Sequence, residues 1–201
     1  DGKTFHLQDE EIVNSNLIYD GTFIKGLEFW GIEGTDVQYT GSTKPSWMPS
    51  GEGVGIRGEY HSSSVDKYKG IVSNKIPIQI NQDYTLSFNY EVESNVTEML
   101  VYAYLFDKNR TYIGAITMAS LDVGSSYTHT KKTINLNVSN TKAKYVSIEF
   151  RNNGLKANNG SNICCYLNKV KLEIEGKATT YVGNELIINN AEILSILTKQ
   201  M

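Results

Sequence analysis

From Val54 to Glu175, apolar and polar side chains alternate with a period of two. A pleated strand imposes that spacing when one of its faces is buried. In DYTLSFNYEVE (83–93), Leu86, Phe88, Tyr90 and Val92 fall on one face, with Ser87, Asn89 and Glu91 on the other. EMLVYAYLFD (98–107) sets Met99, Val101, Ala103 and Leu105 against Leu100, Tyr102, Tyr104 and Phe106. Both of those faces are fairly apolar, which suits a strand at the centre of a sheet. AKYVSIEFRN (143–152) alternates Val146, Ile148 and Phe150 with Tyr145, Ser147, Glu149 and Arg151. NICCYLNKVKLEIEG (162–176) is a long run that ends with Val170, Leu172 and Ile174 in phase. Further strands are predicted over 54–61, 68–77, 112–118 and 128–138, and DKNR (107–110) reads as a hairpin turn because Asp and Asn bond back to local backbone. Strands at this spacing, with no helical period between them, predict an all-β antiparallel sandwich.

The last segment breaks the pattern. In GNELIINNAEILSILTKQM (183–201), Ile187, Asn190, Leu194, Leu197 and Met201 recur at threes and fours, which predicts a short C-terminal helix with Asn184 as its N-cap. Two uses of its apolar stripe stay open: packing on the sandwich, or opening a coiled coil that gathers chains into a homotrimer. Residues 1–15 read as an arm or extra strand, 16–182 as the sandwich domain and 183–201 as the helix or linker. The first residues, DGKTFHLQDEE, have neither the basic flank nor the apolar run of a signal peptide and no initiator Met. A processed form or a piece of a longer protein is the expectation.

Composition narrows the partners. Apolar residues make up 40% of the 201 positions, Tyr (13) outnumbers Phe (6) and Trp (2), and the formal net charge is −3. There is no basic footprint for nucleic acid. The scattered lysines form no patch for an anionic membrane, and no stretch approaches the roughly eighteen continuous apolar residues of a membrane helix. Cys164 and Cys165 are adjacent, so on a strand one thiol faces the core and the other the opposite side. A bond between them would close a strained ring far from ordinary disulfide geometry, and two separate thiols are expected.

The opening of the domain carries a resemblance. Asn16-Leu17, Gly21-Thr22-Phe23, Gly26 and Trp30, then DYTLSFNYEV, VYAYLFDKNRTYIG and the closing YLNKVKLEIEG (166–176), occur in this order. They resemble carbohydrate-binding modules with the galactose-binding-like jelly-roll fold. KVKLEIEGKATTYV (169–182) is similar to the ending of such modules in phage tail and baseplate proteins. The resemblance implies that Trp30 plugs one end of the sandwich and that Gly21 permits a turn other residues resist. Members of this family often hold a structural calcium between a Glu in the first turn and an Asp of the closing strand. Ile24 and Asn168-Lys169 stand at those positions here. Calcium wants several oxygens, preferably anionic ones, so no metal and no cofactor are expected, with Asp20 and backbone carbonyls the sole remaining candidates for calcium.

Catalytic constellations are missing from the pattern. His6, His61 and His129 are dispersed, and neither a G-x-S-x-G elbow nor H-E-x-x-H occurs. Glu91 and Glu149 are the carboxylates that alternation might bring to one face, as glycan hydrolysis requires, although solvated surface charge accounts for them equally simply. A sugar site has two candidate places. One is a concave sheet face carrying Arg57, Asn89, Tyr102, Tyr104 and Arg151, where ordinary sheet packing is the competing role for the tyrosines. The other is the loop KPSWMPS, in which Trp47 sits between two prolines and serves either to stack on a sugar or to fold back over the sandwich edge. Tyr39, Tyr60, Tyr68 and Tyr112 are weaker options.

These features point to a non-catalytic carbohydrate-binding module of a phage tail or baseplate protein. Its expected partners are a cell-surface polysaccharide or oligosaccharide and neighbouring tail proteins, on a virion or outside the cell. The alternatives are a structural docking or spacer module without a sugar site, and an accessory module of a secreted glycan-degrading enzyme.

Overall fold

The computed structural model describes residues 16–33, 52–58, 60, 69–121, 130–157, 164–174 and 178. Residues 1–15, Trp47 and the expected helix at 183–201 lie outside them. Ten strands are formed: β1 (Gly31–Glu33), β2 (Val54–Arg57), β3 (Lys69–Val72), β4 (Ile76–Pro77), β5 (Asp83–Val92), β6 (Met99–Phe106), β7 (Tyr112–Leu121), β8 (Thr130–Asn137), β9 (Tyr145–Asn152) and β10 (Cys164–Ile174). Every pairing is antiparallel. The larger sheet runs β1-β3-β9-β6-β7, with β4 continuing beside β9, and the smaller runs β2-β10-β5-β8. The segment expected as one strand over 68–77 is interrupted, and β3 and β4 pair with opposite ends of β9.

The alternation maps directly onto burial. Met99, Val101, Ala103 and Leu105 of β6 are buried, as are Val146, Ile148 and Phe150 of β9 and Leu86, Phe88 and Leu172 from the facing sheet. Phe88 meets Phe150 edge-on across the gap, with centroids 4.9 Å apart. Such contacts between the inner faces form the sandwich core. Trp30 closes one end. It is 5% exposed, lies 4.9 Å from Phe23 and 6.4 Å from Phe150 by ring centroid, and donates its indole N–H to the Asp20 carbonyl at 3.2 Å. A buried indole needs such a partner for its N–H.

Two details differ from the sequence reading. Gly21 is not among the glycines with positive φ; the left-handed positions in this turn are Asp20 (φ 47), Phe23 (φ 61) and Gly26 (φ 65). Gly21 is required for a different reason, since a Cβ there would lie 1.9 Å from the Val170 carbonyl oxygen. Ile174, although in phase with Leu172, is 48% exposed. Cys165 is a buried thiol.

The implied calcium fails a test of fit. The Asp20 carboxylate accepts the Ile24 and Lys25 N–H groups, each at 2.9 Å. The Gly21 carbonyl accepts Val170 N–H at 2.8 Å and the Thr22 carbonyl accepts Gly53 N–H at 2.6 Å. Asn168 Oδ1 accepts the Lys169 N–H. These oxygens are met by positive N–H dipoles where a cation would need free lone pairs, so the residues do not suit the ion. Asp20→Ala is expected to cost about 1 kcal/mol through the turn hydrogen bonds that it loses. Calcium or a chelator is expected to leave the wild-type melting temperature unchanged in a thermal scan.

Candidate functional site

The outward face of the larger sheet gathers the chain's polar-aromatic chemistry. Strands β6 and β9 are registered so that Tyr102 lies opposite Glu149, Tyr104 opposite Ser147 and Phe106 opposite Tyr145. Since the odd-numbered residues of β6 fill the core, Leu100, Tyr102, Tyr104 and Phe106 must face out, and all four are partly exposed. The rings of Tyr102 and Tyr104 are parallel to within 1°, with centroids 6.2 Å apart. Tyr112, which is 57% exposed, stands edge-on to both Tyr104 (5.9 Å) and Phe106 (6.2 Å).

A polar network fixes this strip from below. Glu149 is fully buried. Its carboxylate accepts the Tyr104 hydroxyl at 2.6 Å and the Arg151 Nε–H at 3.2 Å, and Arg151 Nη2 stands 3.0 Å from Oε2. Arg151 Nη2 also donates to the Tyr104 oxygen at 2.7 Å, and its guanidinium carbon sits 4.8 Å from the Tyr102 ring centre. The carboxylate fits because β3 presents a glycine beside it: a Cβ on Gly70 would lie 2.9 Å from Glu149 Oε1. Charge-assisted bonds of this kind are short and directional, so Tyr104 is held in one orientation, and the guanidinium they fix packs against the ring of Tyr102.

The structure brings Tyr102, Tyr104 and Arg151 together but not the whole expected set. Arg57 on β2 and Asn89 on β5 belong to the smaller sheet, where the inward positions of Ile56 and Phe88 turn them to its outward side. The five residues therefore do not share a face. Glu91 and Glu149 are separated in the same way, Glu91 on β5 and Glu149 on β9. No carboxylate pair for glycan hydrolysis is formed by these two. Phe106 is a member of the site that sequence reasoning passed over, and Glu149, weighed there only as a catalytic carboxylate, instead anchors Tyr104 and Arg151. Among the described residues, no cluster of three His, Cys, Asp or Glu side chains could hold a metal.

No protein-family model matches the chain, and no curated protein matches it. Solved structures do. The xylan-binding CBM22-1 domain of Paenibacillus barcinonensis Xyn10C superposes with a TM-score of 0.55 at 11% identity, over 83% of this chain and 98% of that one. The fold is that of a carbohydrate-binding module. The enzymatically active domain of tailspike protein 4 from bacteriophage CBA120 gives a TM-score of 0.56 at 15% identity, over 80% of this chain and 21% of that one. The chain thus spans about a fifth of that tailspike domain's length. The α-L-arabinofuranosidase MgGH51 gives 0.57 at 10% identity, covering 81% and 27%. The matched fold makes up nearly all of the CBM22-1 domain and about a quarter or less of the other two chains.

Proposed function

We propose that the chain is a non-catalytic carbohydrate-binding module whose sugar platform is the outward face of the larger sheet. The observation that carries this reading is the parallel pair Tyr102–Tyr104, locked by Glu149 and Arg151 on a partly exposed surface. Aromatic faces cover the C–H patches of a pyranose, while the Tyr112 hydroxyl and the Arg151 donors meet sugar hydroxyls. A preorganised platform spends little conformational entropy on binding. The xylan-binding neighbour and the tailspike neighbour support the same reading. We place the module in a phage tail or baseplate protein, where it attaches to a bacterial cell-surface glycan. A shallow face of this kind binds weakly per copy and gains from several copies acting together.

The test is a glycan array that includes cell-wall polysaccharides, probed with wild type, Tyr102→Ala and Trp47→Ala. Tyr102→Ala is expected to weaken binding about tenfold or more, as loss of a central aromatic anchor does, with an unchanged melting profile. Binding that survives Tyr102→Ala and is abolished by Trp47→Ala would move the site to the loop end. Folded protein that binds no glycan at high density would favour a docking module.

A further inference from the structure

The platform has one cationic end. At the β6–β7 turn, the Lys75 ammonium lies 4.2 Å from the Phe106 ring centre and donates to the Arg110 carbonyl at 3.0 Å. The Arg110 guanidinium lies 5.2 Å from the ring centre of Tyr145, which is the cross-strand partner of Phe106. Lys108 is exposed in the same turn. The Asp107 carboxylate there accepts the Asn109 and Thr111 N–H groups on Oδ1 at 2.8 and 2.9 Å, so its single negative charge is held within the turn against the three cations. None of Lys75, Lys108 and Arg110 is in ion-pair range of a carboxylate among the described residues.

The other charges of the face are balanced or distant. Arg151 is paired with the buried Glu149. Glu98 lies just before the first residue of β6 and accepts from Ser120 and Asn153. At strand rise it stands roughly 27 Å from Phe106. The aromatic strip therefore runs from an acidic end to a basic one, in a chain whose net charge is −3. Cations that outnumber the carboxylates of this turn among the described residues, and that lie over partly exposed rings, are poised for an external anion, since the rings hold them without neutralising them.

We infer that the ligand is an anionic polysaccharide, lying along Tyr102, Tyr104 and Tyr112 with an acidic group against Lys75 and Arg110. The inference rests on the platform reading above. The anion is either a uronate carboxylate or a backbone phosphodiester, both of which the same ammonium and guanidinium groups accept.

Affinity for polygalacturonate, poly(glycerol phosphate) and neutral xylan would be measured at low and at physiological salt. Wild type, Tyr102→Ala and the Lys75→Gln/Arg110→Gln double variant would be compared. The expected result is a preference of about tenfold or more for at least one anionic polymer over xylan, eroded by salt and lost in the double variant. Which polymer is retained identifies carboxylate or phosphodiester. Equal binding of charged and neutral polymers, with Tyr102→Ala still damaging, would overturn the anionic ligand and leave the platform standing. Loss in the double variant without any effect of Tyr102→Ala would overturn the platform and the course of the ligand along the tyrosines, and leave the anion contact at Lys75 and Arg110 standing. Melting profiles confirm that each variant is folded.

Discussion

Replacing Glu173 with alanine is expected to lower the free energy of unfolding by about 3–5 kcal/mol. Lys171 Nζ and Glu173 Oε1 are 2.9 Å apart and both side chains are fully buried. Two charges out of water are tolerated as a pair, but deleting one removes an opposite charge 2.9 Å from the other in a medium that solvates it poorly. Lys171→Met should cost a similar amount for the same reason. The two losses should not add, because both substitutions remove the same charge pair. Urea denaturation of both single variants and the double variant checks this. A cost below about 1 kcal/mol for either single variant, which is the range of an exposed pair, would show that the pair is in effect solvated.

Gly21→Ala is expected to be the other severe change, at about 3 kcal/mol or more, at or beyond the upper end of the usual cost of overpacking. The new methyl would meet the Val170 carbonyl oxygen at 1.9 Å and its carbonyl carbon at 2.9 Å. Those are backbone atoms of a central strand, held by the Val170 N–H to Gly21 carbonyl bond at 2.8 Å, so neither side can yield cheaply. Gly26→Ala supplies the contrast. Nothing lies within 4 Å of a Cβ at Gly26, and only its φ of +65° resists the change; that backbone conformation costs roughly 1–2 kcal/mol. Equilibrium unfolding should rank the two variants clearly. Similar costs would mean that Gly21 serves conformation, not close approach.

The buried pair also shows how a sequence reading loses its phase. Cys165 and Leu167 point into the core at odd positions, yet Val170 and Leu172 do so at even ones. The change occurs at an irregularity between Asn168 and Lys171, where Lys169 adopts φ 54. Such a bulge inserts one residue and flips every later side chain. An unbroken alternation from Cys165 would aim Lys171 and Glu173 at the hydrophobic core.

Strand identity and alternation were legible in the order of residues. The alternation at 83–93, 98–107 and 143–152 separated the buried Leu86, Phe88, Val101, Ile148 and Phe150 from outward Tyr102, Tyr104 and Arg151. The turn at Asp107 was legible too, because its chemistry acts within four residues. Period-two burial and turn hydrogen bonds are local effects, so one stretch of sequence carries them complete. The grouping of strands into sheets is not local. Arg57 and Asn89 fell on one sheet and Tyr102, Tyr104 and Arg151 on the other because β10 pairs with β2 and β5, whereas β9 pairs with β3, β4 and β6. Those choices depend on which distant strands bury the most surface together, and nothing within a single strand records them. By itself the sequence determined an antiparallel sandwich; the tertiary structure decided which of the two apolar faces of β6 would turn outward with its tyrosines, that Glu149 and Arg151 would meet them, and that Lys75 and Arg110 would stand at the end of their strip.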